Sequence, residues 1–185
     1  MKAMKPGFAA MFLLIGAVDA GAGLADSSAS ASSNRWGPGT ATATAGYNGG
    51  GVGFAHTDTH TGKVNLAQGV SFGFDKEGVS LSSSYALAPR FGPAVGGTFN
   101  VAVGLDGSVS HSVGRTTAGG DPYRKVEVGG SARPGNRGRA PVALSTAAGK
   151  TGPRGYATAK THSHTSRRQP KVVQRLQGRR VLRLR

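Results

Sequence analysis

The chain has no cysteine. Disulfides therefore cannot staple it, and thiolate nucleophiles and thiolate metal sites are excluded. Aromatic residues are scarce, at 6% with a single Trp. No apolar run approaches the roughly 20 residues that a membrane-crossing helix needs; Phe8 to Val18 has 11. Acids nearly vanish from the second half. After Gly114 only Asp121 and Glu127 remain, against seventeen Lys and Arg, whereas the six basic and six acidic residues before that point cancel. The whole net charge of +15 thus lies in the last 71 residues.

Glycine, by contrast, is plentiful at 31 of 185 residues, well above the usual ~7%. A large, rigid, enzyme-type core is hard to build from this composition, and no reaction is written in it.

The N-terminus has the secretory pattern. Lys2 and Lys5 precede the apolar run, and small residues follow at Ala20, Ala22 and Ala25. Cleavage after Ala22 or after Ala25 suits a peptidase that selects small residues. The expected layout is a signal at 1–25, a Ser/Ala-rich linker at 26–38, a β domain at 39–129 and a disordered basic tail at 130–185.

Within the β domain the pattern has a period of two. Val64, Leu66, Val70, Phe72 and Phe74 alternate with Asn65, Ala67, Gly69, Ser71 and Gly73; Val79 and Leu81 alternate with Ser80 and Ser82; Phe99, Val101 and Val103 alternate with Asn100 and Ala102. That is strand periodicity. Turn chemistry separates the runs at Asn48-Gly49, Thr61-Gly62, Asp75-Lys76-Glu77-Gly78 and Asp106-Gly107. The fold class is all-β: a small antiparallel meander of about six strands (39–46, 51–60, 63–74, 77–88, 97–105, 108–114), sandwich- or barrel-like. A short seventh strand is expected at 124–128. The large apolar residues are expected to point inward and the Ser and Thr arrays outward. The loop at 75–78 sets Phe74 opposite Val79.

Four motifs bear on chemistry. Gly69-Val70-Ser71-Phe72-Gly73 has the letters of a nucleophile elbow, but it lies inside an alternating strand with no helix behind it. His56, Asp58 and His60 share one strand face and, with His111, make a candidate ligand set for a metal-dependent hydrolase. Against this, alternate strand residues stand about 7 Å apart, so one ion cannot reach all three. Gly149-Lys150-Thr151 ends like a phosphate-binding loop, yet the glycine required five residues earlier is Leu144. The period-two arrays Thr40/Thr42/Thr44, Thr57/Thr59/Thr61, Ser80/Ser82/Ser84 and Ser108/Ser110/Ser112 read as solvent-side faces able to bind water, sugar or another sheet.

The basic tail is the remaining candidate. Arg167, Arg168, Lys171, Arg175, Arg179, Arg180, Arg183 and Arg185 form a polyanion-binding cluster. Export and the lack of interleaved aromatics point away from nucleic acid and toward anionic polysaccharide, lipopolysaccharide or anionic lipid. The sequence therefore reads as a secreted or periplasmic, non-enzymatic β-protein of the cell envelope without a cofactor. It would be a structural or surface-interaction module that self-associates through its sheet. An outer-membrane-associated β-protein is the alternative, with the metal-dependent hydrolase behind it.

Overall fold

The computed structural model describes residues 23–135 and 139–166. These residues form ten antiparallel strands and no helix: β1 (Leu24–Asn34), β2 (Gly37–Asn48), β3 (Val52–His60), β4 (Val64–Asp75), β5 (Gly78–Pro89), β6 (Ala94–Gly104), β7 (Val109–Gly119), β8 (Tyr123–Arg133), β9 (Val142–Thr151) and β10 (Tyr156–Ser166). They build two sheets, one in the order β2-β1-β8-β9 and one in the order β10-β7-β6-β5-β4-β3. The sheets lie face to face. At the two sides β2 packs beside β3 and β9 beside β10, so the sandwich is nearly a flattened barrel.

The turns follow from local chemistry. In the β4–β5 hairpin Asp75 Oδ1 accepts the backbone N–H of Glu77 at 2.7 Å and of Gly78 at 3.0 Å. Gly78, at φ +148°, supplies the conformation that other residues resist. The β6–β7 turn repeats the device: Asp106 Oδ1 accepts Ser108 N at 2.9 Å, and Gly107 stands at φ +77°. Phe74 pairs with Val79, as the loop length requires.

Three expectations are corrected. Residues 26–34 are no linker: they belong to β1, which lies in the middle of the four-stranded sheet between β2 and β8. Residues 130–166 are not a disordered tail either, because β8 runs on to Arg133 and β9 and β10 follow. Strand β8 itself spans Tyr123–Arg133, far beyond 124–128. Apart from Val126 and Val128 of β8, these segments consist mostly of small and polar residues and carry little apolar alternation.

A fourth difference concerns sidedness. Ser71, Ser80, Ser82, Ser84, Ser108, Ser110, Ser112 and Asn100 are buried between the sheets, together with Ala67, Ala86, Ala94 and Ala118. The Val, Leu and Phe residues that alternate with them point the other way. The reason is distance. A Cβ on Gly69 of β4 would lie 2.6 Å from the Thr44 carbonyl and 3.2 Å from the Ser28 carbonyl of the opposing sheet. Backbones this close leave room for hydrogen, methyl and hydroxymethyl side chains and little else. Val126 and Val128 are the largest fully buried side chains.

Buried hydroxyls cost free energy unless they are paired, and most of these are paired across the gap. Ser27 Oγ meets Ser82 Oγ at 2.8 Å, and Ser82 Oγ donates to Asn100 Oδ1 at 2.6 Å. Asn100 Nδ2 donates to the Leu144 carbonyl at 2.8 Å and to Ser145 Oγ at 2.9 Å. Ser110 Oγ accepts the backbone N–H of Ala143 at 3.0 Å. A polar seam therefore holds the two sheets together.

Candidate functional site: an apolar outer sheet face

Turning the small residues inward leaves the large apolar ones on the outer face of the six-stranded sheet. Strand register aligns them in rows. Val52, Phe74, Val79, Val103 and Val109 stand side by side across β3 to β7, and the next row holds Phe54, Phe72, Leu81 and Val101. The Phe54 and Phe72 rings stack with centroids 5.8 Å apart. Val70, Phe99 and Val113 continue the face below, and Leu66, Leu87 and Val95 close it. Phe74 is 52% exposed and Phe99 45%, so these residues are open to solvent within a single copy. An apolar patch larger than a few hundred Å² on a soluble protein marks an interaction surface.

The polar residues of this face are arranged asymmetrically. One row reads Asp58, Gln68, Tyr85, Gly97, Arg115, Lys160 from β3 to β10. The acid thus lies on one edge strand, while the two cations lie on the opposite edge strand and its neighbour. Among the described residues none of these three charges has an ion-pair partner. Arg115 and Lys160 face each other directly across β7 and β10, an arrangement of like charges that is unfavourable on its own. Tyr85 lies over Gly97, where a Cβ would meet its ring at 2.6 Å.

The other outer face differs. Ser28 pairs with Thr44, and their hydroxyls meet at 2.7 Å; Ser32 and Thr40 meet at 2.8 Å. Lys125 forms an ion pair with Glu127 on the same face. Thr40, Thr42 and Thr44 are thus solvent-side, as expected, whereas Ser80/Ser82/Ser84 and Ser108/Ser110/Ser112 are interior. The molecule has one hydroxyl-rich face and one apolar face.

The residues singled out for chemistry fall as follows. Ser71 is fully buried and donates to the Asp26 carbonyl at 2.7 Å. A nucleophile needs an exposed oxygen and a base beside it, and Ser71 faces the wrong way for that role. His56, Asp58 and His60 do share one exposed face of β3. His111 lies four strands away on β7, where it packs against His164 with ring centroids 5.5 Å apart. Among the described residues no three His, Asp or Glu side chains are grouped to hold a metal ion. The basic cluster from Arg167 to Arg185 lies outside the described residues.

A depression of about 220 Å³ opens beside the β1–β2 turn, lined by Ser33, Asn34, Trp36, Gly39, Asn65 and Arg90 among others. Its lining offers one guanidinium and no carboxylate or imidazole. Elsewhere, among the described residues, the Asp26 carboxyl and the Tyr123 phenol are perturbed. Burial raises the Asp26 carboxyl above its ordinary range, a backbone hydrogen bond partly offsetting the effect. Burial also raises the Tyr123 phenol, against the pull of Lys125.

The apolar face is not evident from sequence because alternating Val, Leu and Phe residues are the usual mark of a strand's interior side. Its signal was present in the partner positions: Gly69, Ser71, Gly73, Ser80, Ser82 and Ser84 are too small to be a random solvent face. Comparison with protein-family models, curated proteins and solved structures finds no match to this chain.

Proposed function

We propose that this chain is an exported, non-enzymatic structural module that assembles with a second copy through the outer face of its six-stranded sheet. Its basic C-terminal segment would tether the assembly to anionic envelope polymers. The observation that carries this reading is the apolar face with Asp58 at one edge and Arg115 and Lys160 at the other.

The geometry of that face favours its own copy as partner. Consider a two-fold axis lying between the two faces and parallel to the strands. It lays β3 of one copy over β10 of the other and keeps every row at its own height. Asp58 of each copy then stands opposite Lys160 and Arg115 of the second copy, so the pairing is made twice. Six strands of some eleven residues cover roughly 1,000 Å² at about 4.8 Å between strands and 3.3 Å per residue. A stable interface needs about 800 Å² from each partner. Aligned sheet packing at about 30° accommodates the natural twist.

The outer-membrane alternative draws on the same face. A lipid-encircled barrel, however, needs an apolar band all round, and the four-stranded sheet presents Ser28, Ser30, Thr42, Thr44, Lys125 and Glu127 outward. Two apolar faces closing on each other account for that asymmetry better.

The test is sedimentation equilibrium of the full chain at micromolar concentration. The expected result is a dimer that Leu81→Glu converts to monomer. Asp58→Lys should weaken it, and adding Arg115→Glu and Lys160→Glu to Asp58→Lys should restore it. A wild-type chain that stays monomeric, whether free or bound to lipid vesicles, overturns the assembly.

A further inference from the structure

Gly23 is buried immediately before β1, and its backbone N–H donates to Asp75 Oδ2. The other oxygen of the same carboxylate already caps the β4–β5 turn through Glu77 N and Gly78 N. Asp75 is only 6% exposed, so each of its oxygens depends on protein donors. A Cβ at residue 23 would meet Asp75 Oδ2 at 2.5 Å and the Tyr47 hydroxyl at 2.6 Å, which leaves room for glycine alone. That Tyr47 hydroxyl is buried and has no hydrogen-bond partner among the described residues. A buried carboxylate oxygen thus accepts from the Gly23 nitrogen, and an unpartnered buried hydroxyl lies beside the same residue.

An amide nitrogen has one hydrogen and can serve one of these two acceptors. An ammonium has three and carries the opposite charge to Asp75. We propose that the Ala22–Gly23 peptide bond is the processing site of this chain, and that Asp75 and Tyr47 form the receptor for the new N-terminal ammonium of Gly23. This rests on the export reading above. The step is a hydrolysis: water adds across the Ala22–Gly23 amide, leaving a carboxylate on Ala22 and an amine on Gly23. The amine takes a proton at neutral pH. A peptidase that selects small residues at Ala20 and Ala22 would perform the cut while the chain is still extended, before β1 docks and buries the site.

The competing cut after Ala25 is disfavoured by what it removes. Ala25 is fully buried and pairs with Tyr47 on β2 and Ala132 on β8. Its loss would open the end of the sandwich, and Asp75 Oδ2 would lose the Gly23 donor. The cut after Ala22 keeps both contacts and strengthens one of them, because a hydrogen bond between two charged groups outweighs one from a neutral amide.

The test is intact-mass and N-terminal analysis of the full chain expressed with its own leader in a secreting host. The expected mature chain begins at Gly23. A chain beginning at Asp26 overturns this inference and leaves export standing; a Met1-containing chain as the sole product overturns export as well. Asp75→Asn supplies a second reading, since an amide oxygen still caps the turn but lacks the charge. In that variant an aminopeptidase should remove Gly23 about tenfold faster than in the wild type, the loss of one charge-assisted hydrogen bond. Equal rates would mean that the carboxylate does not hold the terminus.

Discussion

A Cβ on Gly130 of β8 would stand 2.1 Å from Nδ2 of Asn100 on β6. The two residues come from opposite sheets and meet at the centre of the seam, where Asn100 is fully buried. Ser82 Oγ also donates there to the Gly130 carbonyl, at 3.0 Å. Glycine at 130 is what lets Asn100 reach across. Gly130→Ala should therefore destabilise the fold by about 1–3 kcal/mol, the usual cost of overpacking. Urea unfolding of the full chain measures this, and an unchanged midpoint would refute the close approach.

Asn100→Ala should cost a similar amount for a different reason. It removes the shortest of the Ser82 contacts and leaves the Leu144 carbonyl and Ser145 hydroxyl without the Asn100 donor. Unpaired buried groups cost about 1–3 kcal/mol. The same substitution at the exposed Val113, on the outer face, should leave the monomer's stability nearly unchanged while weakening self-association. Unfolding midpoints and sedimentation, measured side by side, separate the two effects.

Arg124 is a buried cation on β8, 3% exposed. Its guanidinium donates to the Gly120 carbonyl and to Asp121 Oδ1, each at 3.1 Å, and to the carbonyls of Pro89 and Arg90. It thereby ties the β7–β8 crossover to the β5–β6 loop. Arg124→Met should cost about 1–3 kcal/mol, because the Gly120, Pro89 and Arg90 carbonyls lose their donor while Asp121 stays solvated. Arg35→Met, which removes an exposed pair to Asp121 at 3.5 Å, should cost less than about 1 kcal/mol. Thermal melts of the two variants should rank them clearly.

Asp26 supplies a pH dependence. Burial raises its carboxyl pKa in the folded chain, so the folded state holds this proton more tightly than the unfolded state. The associated stability is present below the ordinary aspartate pKa and is lost as pH rises through the raised value. Asp26→Asn should flatten that part of the stability profile. The variant should be the more stable form at neutral pH and lose its advantage in acid. A wild-type profile that rises with pH across this window, and is unaltered in the variant, would contradict the burial of this group.

The basic segment can be tested without disturbing the sandwich if the cut falls after Ser166, where β10 ends. An earlier cut at 130 would remove β9 and β10 as well and report on folding. Truncation after Ser166 takes away eight of the seventeen basic residues beyond Gly114. Affinity for heparin or lipopolysaccharide should fall, and the slope of log affinity against log salt should become shallower. Equal binding by both forms would place the affinity on the sandwich.

The period-two pattern in residues 64–105 was enough to establish antiparallel strands, and Asp75 to Gly78 was enough to set the β4–β5 register, because both are local properties of the backbone and its turns. The same pattern defines two faces without saying which is inside. That depended on a second sheet close enough to admit only Gly, Ala and Ser and rich enough in hydrogen-bond partners to satisfy the hydroxyls: Asn100 finds Leu144 and Ser145 only because β9 lies across from β6. Strands β1 and β9 were invisible for a related reason. Their Ala, Ser and Thr residues carry little hydrophobic signal, and β1 gains its order from pairing with β8, nearly a hundred residues away in sequence. The charge gradient along the chain was legible from composition alone, but the row that places Asp58 opposite Arg115 and Lys160 exists only once six strands are in register. Side-chain chemistry named the strands and turns; the distance between two sheets decided which residues became the core and which the surface.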